Sequence, residues 1–345
     1  MNSRKLFHCI TIFTAAVAAS LAAASAHSQE PTTPLKIRLI TTLSTSAVYV
    51  PMDLKKDILP NYGKEYVLET RRIDSSAEVA IVLAGGAADI GATTTGPLIN
   101  ANTKLNGDLR ILADISQYGV HGHKGYVYAV RADDTIREVK DLKGKTLATM
   151  GFGSQPDLAM RVQAKKAGLD LAKDATIVQV PVPAMLANLR ERKVDLVQLL
   201  PPFYALGKAK GDIRVLFFSQ DVWGPSQILF VAARAEFVAK NPRRLQAFFD
   251  DYYRLLRYTL DPKNREEMIE IHSRMQNIPA ASIRAWWNTK DDYYRDPEGI
   301  PNIGFIKREM EVMKENGLIE ATVDIDKWVD LSFIRKAAQN YKHKP

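Results

Sequence analysis

The chain has 345 residues, of which 46% are apolar and 25% are charged, and its formal net charge at pH 7 is +8. This length and apolar content suffice for two domains of ordinary size. Lysine and arginine residues are mixed with acidic residues along the chain, and no basic run with interleaved aromatic residues occurs. The sequence therefore argues against a nucleic-acid-binding protein.

The N-terminal segment 1–26 has the parts of a secretory signal peptide. Arg4 and Lys5 precede an apolar or small-residue stretch over 10–24, and Ala24-Ser25-Ala26 has the small-x-small pattern of a cleavage site. A membrane anchor needs about 20 predominantly apolar residues, and this stretch is shorter and rich in alanine. We therefore expect export to the periplasm and removal of residues 1–26.

The sole cysteine, Cys9, lies inside this predicted signal, at the start of its apolar core. A lipoprotein acceptor cysteine follows the apolar core, so the position of Cys9 argues against a lipid anchor. A mature chain without cysteine forms no disulfide, no thiolate zinc site and no cysteine nucleophile. These features predict a soluble periplasmic protein.

Beyond residue 26, the spacing of the apolar residues switches between a period of two and a period of about three and a half. In the first half, we predict strands at Leu35–Ile40, Tyr66–Ile73, Asp89–Ala92 and Leu109–Tyr118, and helices at 48–59, 75–83 and after Pro97. A second series has strands at Tyr126–Val130, Thr146–Met150, Thr176–Val180, Asp195–Leu199 and Arg214–Phe218, and helices at Pro156–Ala167, Ala184–Arg192 and Pro202–Lys210. This alternation indicates two α/β lobes with largely parallel sheets.

Beyond Val231 the pattern becomes entirely helical. We predict helices at Pro242–Tyr258, Arg265–Met275, Ser282–Tyr293, Ile303–Asn316 and Leu331–Tyr341. Asn241-Pro242, Asp261-Pro262 and Gly317 supply start and stop signals. Paired aromatic residues such as Trp286-Trp287 recur at helical spacing, and we interpret them as packing residues that cover one lobe.

The stretch 147–169 predicts a strand, a glycine-rich turn and a helix, with the turn at Gly151-Phe152-Gly153-Ser154-Gln155-Pro156. A P-loop carries a lysine after its last glycine, and a dinucleotide-binding turn has a third glycine where Pro156 stands. A hydrolase built on Ser154 needs a histidine and an acid, and no such frame is recognisable. We interpret the turn as a ligand-binding helix N-terminus with free amides. Asp157 in the same turn already takes up part of its favourable potential.

His121-Gly122-His123 is an alternative base or metal pair, because His27, His272 and His343 stand in tail or helical contexts. No third ligand or acid accompanies the pair in a recognisable frame. We predict no catalytic residue, no metal and no cofactor, and the role of the pair stays open.

Two further turns follow strands and precede helices: Thr42-Leu43-Ser44-Thr45-Ser46 and Thr93-Thr94-Thr95-Gly96. Each alone is typical of a helix cap, because serine and threonine hydroxyls satisfy the free amides of a first turn. Ligands of open α/β sheets bind at the carboxyl ends of strands. Three such turns, drawn from both series, therefore indicate a cleft lined by hydroxyl and amide groups.

Four stretches carry a family resemblance. They are Leu83–Gly91 (LAGGAADIG), Ile136–Ala148 (IREVKDLKGKTLA), Arg192–Leu196 (RKVDL) and Ala233–Pro242 (ARAEFVAKNP). In these stretches the chain resembles ABC-transporter substrate-binding proteins of the nitrate, sulfonate and taurine type, which also include thiamine-precursor binders. The resemblance covers almost the whole chain beyond residue 26.

The resemblance implies a type II periplasmic-binding-protein fold, an α/β architecture in which two lobes are joined by two crossing hinge strands. Residues 27–123 and 225–345 would form lobe 1, with the C-terminal helices packed on it, and residues 124–224 would form lobe 2. The hinges would lie near Gly119–Lys124 and Asp221–Ser226. Closure of these hinges would trap a ligand between the lobes.

By position in this family, the ligand contacts would come from the three turns and the hinges. The expected ligand-binding residues are Thr42, Ser44, Thr45, Ser46, Thr93, Thr94, Thr95, Tyr118, Gly153, Ser154, Gln155 and Trp223. Four aromatic residues, Tyr118, Phe152, Tyr204 and Trp223, would either line the pocket or pack the hinges and lobes. If they face the cleft, they suit a flat organic acid, with rings as walls and hydroxyls and amides around the carboxylate.

The resemblance thus implies a monomeric solute-binding component of an ABC importer, which captures a small organic anion, such as an aromatic carboxylate or a sulfonate. It would deliver this ligand to a membrane permease. The alternative is an enzyme on the same fold, similar to the pyrimidine-forming synthases, but those rely on a cysteine- and histidine-rich motif that this chain lacks. A sensor that presents its ligand to a receptor would have the same sequence features.

Overall fold

A computed structural model gives the structure of residues 33–42, 50–73 and 75–342. The predicted signal peptide, Cys9, and Ser44, Thr45 and Ser46 of the first predicted ligand loop lie outside these residues. Within this part of the chain, no helix combines the length and the apolar character that crossing a bilayer requires.

The described strands fall into two sheets. Their bounds are β1 Leu35–Thr41, β2 Tyr66–Arg72, β3 Ile90–Thr93, β4 Leu109–Tyr118, β5 Val127–Arg131, β6 Thr146–Thr149, β7 Thr176–Gln179, β8 Val197–Leu199, β9 Ile213–Phe218 and β10 Ser226–Arg234. The first sheet has the order β2-β1-β3-β10-β4. In it, β1 pairs in parallel with β2 and β3, whereas β10 runs antiparallel to β3 and β4.

The second sheet repeats this arrangement. Strand β5 pairs antiparallel with β8 and β9, and β6 pairs in parallel with β7. A parallel bridge between Leu147 and Leu196, with an Ala148 N–H to Leu196 carbonyl distance of 2.8 Å, connects the two strand groups. The combined order β7-β6-β8-β5-β9 therefore has its antiparallel strand in the same place as the first sheet.

The chain passes from one sheet to the other twice, through residues 119–126 between β4 and β5 and through residues 219–225 between β9 and β10. Each antiparallel strand, β5 and β10, is the strand that enters directly from the other sheet. The prediction of largely parallel sheets is wrong at these strands, because the preceding strand in the chain lies in the other sheet and no crossover within one sheet connects the two as parallel neighbours.

The helices cover both sheets and form the C-terminal part of the chain. Their bounds are α1 Ser76–Ala84, α2 Thr95–Lys104, α3 Gln155–Lys166, α4 Leu171–Asp174, α5 Met185–Arg190, α6 Pro201–Lys210, α7 Gln220–Trp223, α8 Ala235–Lys240, α9 Pro242–Leu260, α10 Arg265–Gln276, α11 Ala280–Arg284, α12 Ile303–Glu315 and α13 Ser332–Lys342.

Two predicted helices are wrong in the structure. Residues 50–58 form two 3-10 turns, because Lys55 between them has non-helical dihedral angles (φ −123°, ψ 37°). Helix α11 ends at Arg284, and Asn288 further along adopts a left-handed conformation with φ 53°. The carboxylate of Asp292 accepts hydrogen bonds from the Asn288 amide and from Arg295, which stabilises this irregular turn.

The apolar core is continuous through both sheets and the amphipathic helix α9, whose buried face includes Phe248, Phe249 and Tyr252. Helix α13 packs on α9. A separate cluster around Trp286 and Trp287 contacts Ala205 of α6. The C-terminal helices therefore contact the part of the chain that forms the second sheet as well as the part that forms the first.

Candidate functional site

The first sheet places the predicted threonine turn at the carboxyl end of β3. Thr93 ends this strand, and its hydroxyl donates to the Ser76 carbonyl at 2.9 Å. The Thr94 hydroxyl lies 3.4 Å from the Ser76 hydroxyl. Thr42 follows the neighbouring parallel strand β1 at the same edge, because parallel strands share their carboxyl edge.

The second sheet places the glycine-rich turn between β6 and α3, where its polar groups satisfy one another. The Gly153 amide donates to Asp157 Oδ2 at 2.9 Å, and the Ser154 hydroxyl donates to the Gly151 carbonyl at 2.6 Å. A Cβ on Gly151 would lie 2.3 Å from the Ser75 hydroxyl at the start of α1. The turn therefore packs closely against the N-terminus of α1, and the Gly153 amide already donates its hydrogen bond to Asp157.

The two turns meet at a buried carboxylate on α12. Glu309 Oε2 accepts hydrogen bonds from the Thr95 hydroxyl at 3.2 Å, the Ser226 hydroxyl at 3.0 Å and Gln155 Nε2 at 3.5 Å. Gln155 Nε2 also donates to the Ser226 hydroxyl at 3.0 Å. We call these four residues the Glu309 cluster. It brings together Thr95 and Gln155, which the sequence predicted, with Ser226 and Glu309, which it did not.

Every residue of the Glu309 cluster is almost completely buried, with exposures of 0% for Thr95, Gln155 and Ser226 and 1% for Glu309. They come from α2, α3, β10 and α12, which belong to the segments of both sheets. Burial raises the pKa of Glu309 to about 7, although the hydrogen bonds from Ser226, Gln155 and Thr95 counteract part of the rise.

Two of the four predicted aromatic residues lie near this cluster. Burial, followed by the charge of Glu309, raises the pKa of Tyr118 far above its ordinary value. Trp223 is buried on α7, which packs against α3 and α12. By contrast, Phe152 is 51% exposed, and Tyr204 packs edge-to-face on Phe218. Phe152 therefore exposes about half of its side chain, and Tyr204 packs on a residue of β9.

An open groove of about 560 Å³, which we call the outer groove, is lined by residues of α2, α3 and α12 among others. Its lining includes Gly96, Phe152, Leu158 and Met313. A Cβ on Gly96 would lie 3.0 Å from Leu158 and 3.2 Å from Met313, so these three residues close the inner end of the groove. Each follows a cluster residue by one position or one helical turn, so the groove and the cluster are formed by the same three helices, α2, α3 and α12.

The histidine pair has a packing role in the structure. His123 Nδ1 lies 2.7 Å from the Asp292 carbonyl, and the rings of both His121 and His123 contact Tyr294. Burial lowers the pKa of His123. Among the described residues, no group of histidine, cysteine and acidic side chains is arranged to hold a metal ion.

A sequence model of the NMT1-like family matches residues 28–273. The chain belongs to the NMT1-like family. This match spans the three predicted ligand turns, at 42–46, 93–96 and 151–156, and extends into α10. A search of curated protein sequences finds no significant match.

Solved structures share the fold of this NMT1-like chain. The periplasmic aliphatic sulphonate binding protein SsuA from Escherichia coli is 20% identical over 86% of this chain and 92% of its own, with a TM-score of 0.64. The periplasmic nitrate-binding protein NrtA from Synechocystis is 18% identical over 90% of each chain, with a TM-score of 0.68. The desulfurization enzyme DSZB is 12% identical over 89% of this chain and 99% of its own, with a TM-score of 0.59. The chain therefore has the periplasmic-binding-protein fold predicted from its sequence.

Proposed function

We propose that this NMT1-like protein is the periplasmic solute-binding component of an ABC importer. The protein acts as a monomer, captures a small organic molecule between two lobes and delivers this molecule to a membrane permease. The observation that carries this proposal is the Glu309 cluster, in which Thr95 and Gln155 from the segments of different sheets share one buried carboxylate. A ligand at this position contacts both segments at once and favours their approach.

The two links between the sheets support a hinge. They run side by side, because a Cβ on Gly119 in the first link would lie 2.7 Å from Pro225 Cα in the second. Gly119 and Gly224 have φ of 72° and 67°, which glycine adopts without strain. In this proposal residues 27–123 and 225–345 form lobe 1, residues 124–224 form lobe 2, and rotation at the links changes the separation of Thr95 from Gln155.

The ligand has an acidic group in this proposal, as the sequence suggested. Helices α2 and α3 both begin at the cluster, and the amides of a helix N-terminus favour negative charge. Tyr118 and Trp223 supply buried aromatic surface for the organic part. SsuA and NrtA are by their names binding proteins for aliphatic sulphonate and for nitrate, which agrees with an acidic group.

An enzyme on the same fold remains the second candidate, since DSZB is one. The NMT1-like match and the two transport-type neighbours favour a binding protein. Neither Thr95 nor Gln155 is a strong nucleophile, and both already act as hydrogen-bond donors to Glu309.

The proposal is tested by a thermal-shift panel of aromatic carboxylates, alkanesulfonates, nitrate and pyrimidines, followed by small-angle X-ray scattering with each compound that raises the melting temperature. A ligand that binds only the folded protein raises the melting temperature by mass action. We expect a bound ligand to lower the radius of gyration, and Gln155→Ala or Thr95→Val to weaken its binding about tenfold or more.

Gln179→Ala is the matched control for Gln155→Ala, because Gln179 is exposed at the end of β7. We expect the Gln179→Ala variant to bind the ligand with the same affinity as the unmodified protein. A panel in which no compound changes the melting temperature or the radius of gyration would contradict the proposed function.

A further inference from the structure

The carboxyl group of Glu309 is satisfied on one oxygen only. Oε2 receives hydrogen bonds from Thr95, Ser226 and Gln155. Among the described residues, Oε1 is buried and has no hydrogen-bond partner, and the same is true of the side-chain oxygen of Gln155. Two buried acceptors without a donor therefore lie within one hydrogen-bonded cluster.

Among the described residues, no cation pairs with Glu309. The charge of Glu309 contributes, after burial, to raising the pKa of the buried phenols of Tyr118 and Tyr126. The adjacent residue Arg308 is exposed and donates to the Pro225 carbonyl at 2.8 Å. The cluster thus has a carboxyl group and no positive charge of its own to balance it.

Buried acceptors without donors are unfavourable, and a buried carboxylate without a donor is more so. A ligand that brings an N–H donor to Oε1 removes this unfavourable term, and a positive charge on the donor strengthens the hydrogen bond. An anion without such a donor is repelled by Glu309 when this carboxyl group is ionised.

A third unsatisfied group lies on the neighbouring helix. The indole Nε1 of Trp223 is buried and has no hydrogen-bond partner in the described part of the chain. Its helix, α7, contacts both α3 and α12, which carry Gln155 and Glu309. This donor suits an acceptor on a ligand that reaches α7, such as an oxygen of its acidic group.

We propose that Glu309 makes the protein selective for small organic molecules that carry a protonated nitrogen, an ammonium or amidinium group, and that this nitrogen donates to Glu309 Oε1. The inference rests on the proposed function and specifies its ligand class. It predicts an amine-bearing organic acid rather than an acid alone. Glu309 is the residue that determines this selectivity.

The test compares pairs of compounds with the same carbon skeleton by isothermal titration calorimetry at pH 7.5. The pairs are 4-(aminomethyl)benzoate with 4-methylbenzoate, and 3-aminopropanesulfonate with propanesulfonate. In at least one pair we expect the amine to bind about tenfold or more tightly than its partner. This comparison uses the unmodified protein, so it does not depend on the folding of a variant.

Glu309→Gln then assigns the effect to the carboxylate. We expect this variant to lose about tenfold or more of the affinity for the amine and to treat both members of the pair alike. The matched control is Glu311→Gln, since Glu311 is exposed on the same helix. Cooperative thermal unfolding of each variant confirms that it is folded.

Three outcomes would overturn the inference. The first is tight binding of the acids without nitrogen, undiminished in Glu309→Gln, which leaves the proposed function intact. The second is an amine preference that survives in Glu309→Gln. The third is no binding of any amine while other compounds of the thermal-shift panel bind, whereas failure of the whole panel contradicts the proposed function itself.

Discussion

At the scale of the residue, Glu309 links the proposed site to protein stability. Its carboxyl pKa rises from 4.5 in the unfolded chain to about 7 in the folded protein, chiefly through burial. The folded state therefore holds its proton over a pH range in which the unfolded state has released it. Stability contributed by this group is present below pH 4.5 and is lost as the pH rises through about 7.

Glu309→Gln is expected to remove this loss. Relative to the unmodified protein, the variant gains stability progressively between pH 5 and pH 8, by up to roughly 3 kcal/mol for a pKa rise from 4.5 to about 7. Urea unfolding at intervals across this range measures the difference. Glu311→Gln, on the exposed face of α12, serves as the control and should show no pH-dependent difference. Parallel stability profiles for Glu309→Gln and the unmodified protein would contradict the assignment.

The residues that carried the family resemblance stabilise the scaffold. Asp89 accepts hydrogen bonds from the Arg38 side chain at 3.0 and 2.6 Å and from Arg234 at 3.0 Å, which ties β1, β3 and β10 together. A Cβ on Gly91 would lie 2.7 Å from Ile40 and from Val79. The aspartate and glycine of LAGGAADIG are therefore required by the packing of the first sheet.

The sequence located half of the Glu309 cluster. Thr95 and Gln155 follow strands at helix starts, and that local pattern is visible without a structure. Ser226 and Glu309 are distant in sequence from both turns, so no local pattern connects them. One signal was available: Glu309 falls on the apolar face of α12 with Ile306, Met310 and Met313, and an acid at such a position is unusual.

At the scale of the element, the apolar periodicity predicted most strands and helices to within a few residues. The bounds of β4, Leu109–Tyr118, are confirmed. The two wrong helix predictions have a common cause. A helical spacing of apolar residues also occurs in irregular turns, and side-chain contacts rather than helical hydrogen bonds stabilise these turns. Lys55, whose ammonium is held by Asp57 and Glu267, interrupts the predicted first helix in this way.

The direction of strands was the other failure at this scale. Alternation of strands and helices favours parallel pairing, and it holds for β1, β2 and β3 and for β6 and β7. It does not reveal that β5 and β10 enter from the opposite sheet, because strand exchange depends on long-range topology. That exchange produces the two links on which the proposed hinge depends.

The glycine-rich turn before α3 offers a prediction at this scale. Gly151→Ala places a Cβ 2.3 Å from the Ser75 hydroxyl, so the turn must move away from α1 and carry Gln155 with it. We expect ligand affinity, measured by calorimetry, to fall about tenfold, which corresponds to about 1.4 kcal/mol of strain. Gly85→Ala is the control, since its nearest contact would be an ordinary 3.4 Å. Unchanged affinity in Gly151→Ala would show that the turn is not coupled to the site.

At the scale of the whole molecule, the two sheets share one strand order, and each has a strand that enters directly from the other. Residues 119–126 and 219–225 link them. Two hydrogen bonds connect these links: the Gly125 amide donates to Gln220 Oε1 at 2.7 Å, and the Tyr126 amide donates to the Ser219 hydroxyl at 2.8 Å. Helix α12, from the C-terminal part, then places Glu309 where the two segments meet. We therefore predict that ligand binding and closure are one event.

The most direct measurement is a crystal structure of the protein with the tightest-binding amine from the calorimetric comparison. We predict that the ligand contacts both Thr95 and Gln155 and that its nitrogen lies within hydrogen-bond distance of Glu309 Oε1. A ligand in the outer groove, or one that contacts only one of the two segments, would contradict it.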